Sequence, residues 1–120
     1  DACSMLRLYY ADHLVGDWVE HPMSPVVSNS LEISRPAGRI RQIDNRSIRF
    51  AQDCTVTYGH NVTPIQIESL TKDEYAEAKI QTDGAYLFEL GTMSSNRVGM
   101  HHIDFIMLND DRCIACVDSR

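Results

Sequence analysis

The chain is predicted to be all-β, either a small β-sandwich or part of a β-propeller, on three observations. Roughly seven to nine short runs rich in Tyr, Val, Ile and Leu are spread over 120 residues. Turn residues separate them about every ten positions. Helical signal is confined to one short stretch after Thr71. A propeller blade takes roughly 40–50 residues, and closed propellers need about four or more blades, so a chain of this length would hold two or three of them.

Residues 6–11 read as the first strand, with Tyr and Leu in partial alternation. Residues 12–17 supply a turn containing Gly16, and residues 18–21 resume the pairing as a hairpin in which Trp18 is expected to pack into the core. Pro22 and Pro25 end regular pairing, because proline has no N–H for a ladder. Val26 and Val27 allow a brief extended piece before a polar loop over residues 28–34.

The central feature is a second hairpin, residues 38–43 and 46–52, meeting at Asp44-Asn45. Asp and Asn tolerate the left-handed backbone of a tight hairpin turn. Its flanks, Arg35-Pro36-Ala37-Gly38 and Gln52-Asp53-Cys54, are thereby brought together. An arginine, a glutamine and a carboxylate at one end of a hairpin suit a polyhydroxylated ligand. Residues 55–61 are loop-like, and residues 63–70 form another strand. Thr71-Lys72-Asp73-Glu74 fits a capping box, which predicts one or two helical turns through Ala78. A further strand is expected around Tyr86-Leu87-Phe88. A last hairpin joins residues 102–108 and 112–117 through Asn109-Asp110-Asp111.

The net charge of −6 argues against nucleic acid, which needs a basic surface. No apolar run reaches the length of a membrane-spanning helix, and the N-terminus has no charged-then-apolar leader pattern. The opening Asp1-Ala2-Cys3, without Met, is expected of a piece of something longer. Of the four cysteines, Cys113 and Cys116 sit three apart on a strand and therefore face opposite sides. Buried structural cysteines are expected, with no metal site and no cofactor. Asn45-Arg46-Ser47 and Asn61-Val62-Thr63 fit the glycosylation sequon and leave the compartment open.

Arg35-Pro36-Ala37-Gly38-Arg39, Ala51-Gln52-Asp53-Cys54 and Tyr58-Gly59 resemble the N-terminal domain of glucosamine inositolphosphorylceramide transferases. The resemblance extends upstream through Leu8-Tyr9-Tyr10-Ala11-Asp12 and His21-Pro22-Met23-Ser24-Pro25. Downstream it takes in Ile65, Ile67, Leu70-Thr71 and Glu74-Tyr75, and more loosely Gly99 to Asp104. It implies a five-bladed β-propeller akin to the arabinanase and fructosidase clan of glycoside hydrolases. Residues 1–120 would then be a partial propeller of two to three blades with one short helical turn, the C-terminal portion of a longer domain. It also implies a carbohydrate context, with the rest of the propeller or a neighbouring transferase domain as partner.

Within that frame Asp53 is the candidate catalytic carboxylate, and Arg35, Gln52, Tyr58 and His102 are candidate ligand-binding residues. Asp53 is equally expected to close a salt bridge with Arg35, because glycoside hydrolysis normally needs two carboxylates. Gln52 can donate and accept to sugar hydroxyls, and Tyr58 can stack on a sugar face. Of the pair His101-His102, His102 is the better candidate to face a channel, with Asp104 on its own side to orient the ring. Glu68, Glu74, Glu77 and Glu89 read as solvent-facing or capping charges. Three functions follow: a carbohydrate-recognising or carbohydrate-processing domain accompanying a glycosyl- or formyl-transferring protein, a hydrolase-like enzyme using Asp53, or a structural scaffold.

Overall fold

The computed structural model describes residues 3–80, 99–109 and 112–118. The expected strand around Tyr86-Leu87-Phe88, and Glu89, lie outside them. The described residues are all-β: β1 (Met5–Leu6), β2 (Tyr9–Tyr10), β3 (Val19–Glu20), β4 (Val27–Ser28), β5 (Arg35–Pro36), β6 (Arg41–Ile43), β7 (Arg46–Asp53), β8 (Asn61–Leu70), β9 (Tyr75–Lys79), β10 (Ile103–Asn109) and β11 (Arg112–Val117). They form three two-stranded sheets, β1–β4, β2–β3 and β10–β11, and one five-stranded sheet. None of these sheets closes on itself.

The large sheet is an antiparallel meander, β5–β7–β8–β9, with β6 also paired to β7. β5 and β6 take opposite ends of β7, so together they act as one interrupted edge strand. Asp44 and Asn45 both have positive φ, 49° and 61°. That is the backbone of the expected tight turn, and it sets the register Ile43↔Arg46. β2 and β3 pair as the expected first hairpin, Tyr9↔Glu20 and Tyr10↔Val19.

β7 is buried on both faces from Ile48 to Gln52. On one face Ile48 and Phe50 pack with Ala37, Val62, Met100, Ile103 and Phe105 to form the core. Phe50 and Phe105 meet edge to face, with centroids 5.9 Å apart. On the other face Arg49 forms an ion pair with Glu77, both nearly buried. Tyr75 donates its hydroxyl to the same carboxylate, and Arg49 Nη2 donates to the Ile33 carbonyl at 2.9 Å. A largely apolar cavity of about 280 Å³ opens beside them, reached by Leu6, Leu8, Val26, Ile67 and Leu70.

Four expectations are corrected here, the last being that the cysteines are buried. The helical turn after Thr71 is absent: Thr71 Oγ1 accepts from the Asp73 and Glu74 amides, but this closes a hairpin in which Leu70 pairs with Tyr75. Trp18 is 56% exposed, because no described element covers that side of the β2–β3 ribbon. Glu77 does not face solvent but holds Arg49. The cysteines are thiols; Cys113 packs against the core, whereas Cys116, opposite Asp104 on the other face of β11, is exposed.

Candidate functional site

Strand alternation decides which of the hairpin-flank residues meet. Arg35 lies opposite Gln52 in the β5–β7 ladder, so their side chains share a face. Arg35 Nε donates to Gln52 Oε1 at 3.2 Å, and Arg35 Nη2 donates to the Tyr58 hydroxyl at 3.1 Å. The guanidinium carbon lies 5.1 Å from the Tyr58 ring centroid, within range of cation–π attraction. Gln52 is 2% exposed, so a rigid strand position anchors the guanidinium. Tyr58 is half-exposed at the rim. Three of the expected site residues therefore form one cluster.

The cluster continues into residues that sequence reasoning passed over. The Tyr58 ring lies 5.0 Å from the His101 ring, tilted by 42°. His101 Nδ1 is 2.8 Å from Asp118 Oδ2, and since a carboxylate only accepts, the ring nitrogen donates. Asp118 Oδ1 also accepts from the backbone N–H groups of His101 and His102, at 2.9 and 2.7 Å. The result is a continuous chain Gln52–Arg35–Tyr58–His101–Asp118, running from the end of β7 to the residue after β11. Gly59 makes room for it. Its φ is +70°, and a Cβ there would fall 1.8 Å from His101 Cδ2.

Asp118 was legible in principle. The register Ile103↔Val117 places residue 118 opposite residue 102, and the turn at residues 109–111 already implied that pairing. Partial burial opposes ionisation of Asp118, but the bonds from the His101 ring and the two amides prevail and hold its carboxyl below the usual range. A depressed carboxylate gives its full contribution above the unfolded value near 3.9 and loses it as pH falls through the lower folded value. The Asp118 side-chain carboxyl carbon resonance should therefore keep its ionised position down to about pH 4 and make its main titration step only below it. In Asp118→Asn the His101 and His102 amide resonances should already be displaced at neutral pH. A wild-type Asp118 carboxyl with its main titration step well above about pH 4 would show that the tether is not formed.

The remaining candidates go elsewhere. Asp53, one residue after Gln52, points to the opposite face of β7. Its Oδ1 accepts from the Thr55 backbone N–H at 2.8 Å and the Thr55 hydroxyl at 2.6 Å, opening the loop to Tyr58 as an Asx turn. The expected Arg35–Asp53 salt bridge is thus replaced by Arg35–Gln52. His102 is exposed, its ring lying over Gly38, with Cε1 3.6 Å from where a Cβ would sit. Asp104 does not orient it. Arg39 and Arg41 both donate to Asp104, and the bond from Arg39 leads in holding its carboxyl below the usual range, against the effect of burial. Among the described residues no group of three or more His, Cys, Asp or Glu is placed to hold a metal ion, and no helix is long and apolar enough to cross a membrane.

Comparison with known proteins adds to this geometry. The family described as glucosamine inositolphosphorylceramide transferase 1, N-terminal, matches residues 2–120. The chain is 32% identical over 114 residues to glucosamine inositolphosphorylceramide transferase 1 of Oryza sativa subsp. japonica. It is 31% identical over 114 residues to the protein of the same name from Arabidopsis thaliana. Each alignment covers 94% of this chain but 15% of the relative, so the chain spans only that fraction of the curated relatives it matches. No solved structure matches it.

Proposed function

Because the chain belongs to the family of the glucosamine inositolphosphorylceramide transferase N-terminal domain, we propose that it recognises a carbohydrate or glycoconjugate within a glycosyl- or formyl-transferring protein. The observation that carries this reading is the Arg35 guanidinium, anchored by buried Gln52 and laid beside half-exposed Tyr58. A fixed fork of donors next to an aromatic ring is what a sugar bearing hydroxyl and anionic groups requires. The site loses little order on binding, because its cation is already held.

The proposal extends to architecture. Residues 1–120 are the C-terminal portion of a larger β-propeller, and the meander β5/β6–β7–β8–β9 has the four-stranded antiparallel form of one blade. The rest of the propeller and a transferase domain are its partners. The hydrolase-like alternative gains nothing from Asp53, whose carboxylate is spent on a turn and faces away from Arg35.

Calorimetric titration of the full-length protein with glucosamine, N-acetylglucosamine and myo-inositol phosphate tests the reading. Saturable binding of at least one is expected, weakened about tenfold or more, ~1.4 kcal/mol, in Arg35→Ala. No saturable binding by any of them, or affinity untouched by Arg35→Ala while the unfolding midpoint falls, would leave a scaffold domain instead.

A further inference from the structure

We propose that Cys3 and Cys54 form a disulfide site that staples the turn before β1 to the residue after β7, beside the Arg35 cluster. The backbone brings them together across one shared segment. Ser30 N–H donates to the Ser4 carbonyl at 3.3 Å, and Cys54 N–H donates to the Leu31 carbonyl at 2.8 Å. Cys3 precedes Ser4, and Ser30 and Leu31 are adjacent, so the two cysteines flank the same two residues. Burial, and then the neighbouring Cys3 thiol, push the Cys54 thiol up, and Cys54 Sγ lies 3.9 Å from the Gln52 carbonyl oxygen. Both thiols are only half-buried, so a small disulfide in solution can reach them.

The other two cysteines supply the contrast. Cys113 and Cys116 lie three apart on β11 and project from opposite faces, opposite Met107 and Asp104 respectively. They cannot close a bridge with each other without breaking the β10–β11 ladder. Selectivity is therefore a property of the fold and not of cysteine count.

The oxidant is a small disulfide such as oxidised glutathione. One cysteine thiolate attacks a sulfur of the donor, forming a mixed disulfide and releasing one donor thiol. The second cysteine thiolate then attacks the protein sulfur of that mixed disulfide and releases the second donor thiol. Two cysteine thiols are oxidised, the donor disulfide is reduced, and the two thiol protons end on the released thiols. The bridge closes a loop of roughly fifty residues, which restricts the unfolded chain and should raise the thermal midpoint by several degrees.

The test does not depend on the carbohydrate reading. The full-length protein is incubated with oxidised glutathione, its remaining thiols are blocked with N-ethylmaleimide, and it is digested with trypsin without reduction. The expected product joins the peptide carrying Cys3 to the peptide carrying Cys54, lighter by two hydrogens than their sum. The peptide holding Cys113 and Cys116 should carry two maleimide groups. The joined product should vanish in Cys54→Ser and persist in Cys113→Ser. Finding Cys3 and Cys54 both blocked by maleimide, both left as glutathione adducts, or either joined to Cys113 or Cys116, would overturn the proposal.

Discussion

Glu77→Ala is expected to destabilise the protein by about 3–5 kcal/mol, read as a fall in the urea midpoint at unchanged slope. The side chains of Arg49 and Glu77 are only 8% and 11% exposed. Arg49 donates to both carboxylate oxygens, at 2.5 and 2.6 Å, a bidentate pairing. Burial works against the Arg49 charge, and the bidentate Glu77 carboxylate more than offsets it, raising the guanidinium above its ordinary value. Burial likewise pushes the Tyr75 phenol up, so its hydroxyl remains a donor aimed at Glu77. Removing the carboxylate leaves a buried cation with the Ile33 carbonyl as its remaining acceptor and strands the Tyr75 donor. The double variant Arg49→Met, Glu77→Leu should recover most of the loss, because it removes both charges and fills the space with apolar atoms. A cost below about 1 kcal/mol for Glu77→Ala would mean that water reaches the pair.

The same residues explain why β9 was not legible. Ala76, Glu77, Ala78 and Lys79 are strong helix formers, and Thr71 with Glu74 gives the local hydrogen bonds of a helix start. Those bonds also close a four-residue hairpin loop, and local pattern cannot separate the two outcomes. What separates them lies elsewhere in the chain: β8 offers an edge to pair, Arg49 awaits a carboxylate, and Glu32 receives Lys79. Tertiary partners outweigh propensities of a few tenths of a kcal/mol per residue. The central hairpin, by contrast, was legible because its turn is written in two adjacent residues. Asp44 and Asn45 impose the geometry locally, and the flanks follow.

The candidate site divides along the same line. Placing Arg35 near residues 52 and 53 needed only the hairpin, but choosing Gln52 over Asp53 needed the register to one residue. A slip of one position exchanges the two faces of a strand. His101, Tyr58 and Asp118 come from three separate segments, joined by the β10–β11 ladder, by Met100 N–H donating to the Gly59 carbonyl at 3.0 Å, and by the packing of β10 against Ala37 and Gly38. Two of these links are backbone bonds, including Ile103 N–H to the Ala37 carbonyl at 2.8 Å, and such bonds leave no mark of hydrophobic periodicity.

Gly38→Ala should therefore have the second large effect, about 4 kcal/mol or more, with a functional signature of its own. Gly38 has φ +149°, a region open essentially to glycine alone, so any side chain is strained there. The space is also taken: a Cβ would fall 2.1 Å from the Ile103 carbonyl oxygen. Backbone atoms cannot swing aside as a lysine tip could, so β10 must move away from the β7 sheet. Ile103 and Phe105 would then be pulled from contact with Ile48 and Phe50, opening the core. His101 and His102 immediately precede Ile103 and would move with it, separating His101 from Tyr58. The expected result is a lowered unfolding midpoint together with loss of the ring-current shift between Tyr58 and His101, while Arg35 keeps Gln52. Gly16→Ala is the control, since a Cβ there meets only His13, its nearest atom at 3.1 Å in an exposed turn. It should cost below about 1 kcal/mol and leave the aromatic contact intact. Equal effects at the two glycines would mean that Gly38 is not what seats β10, and that the Tyr58–His101 contact is held by another element.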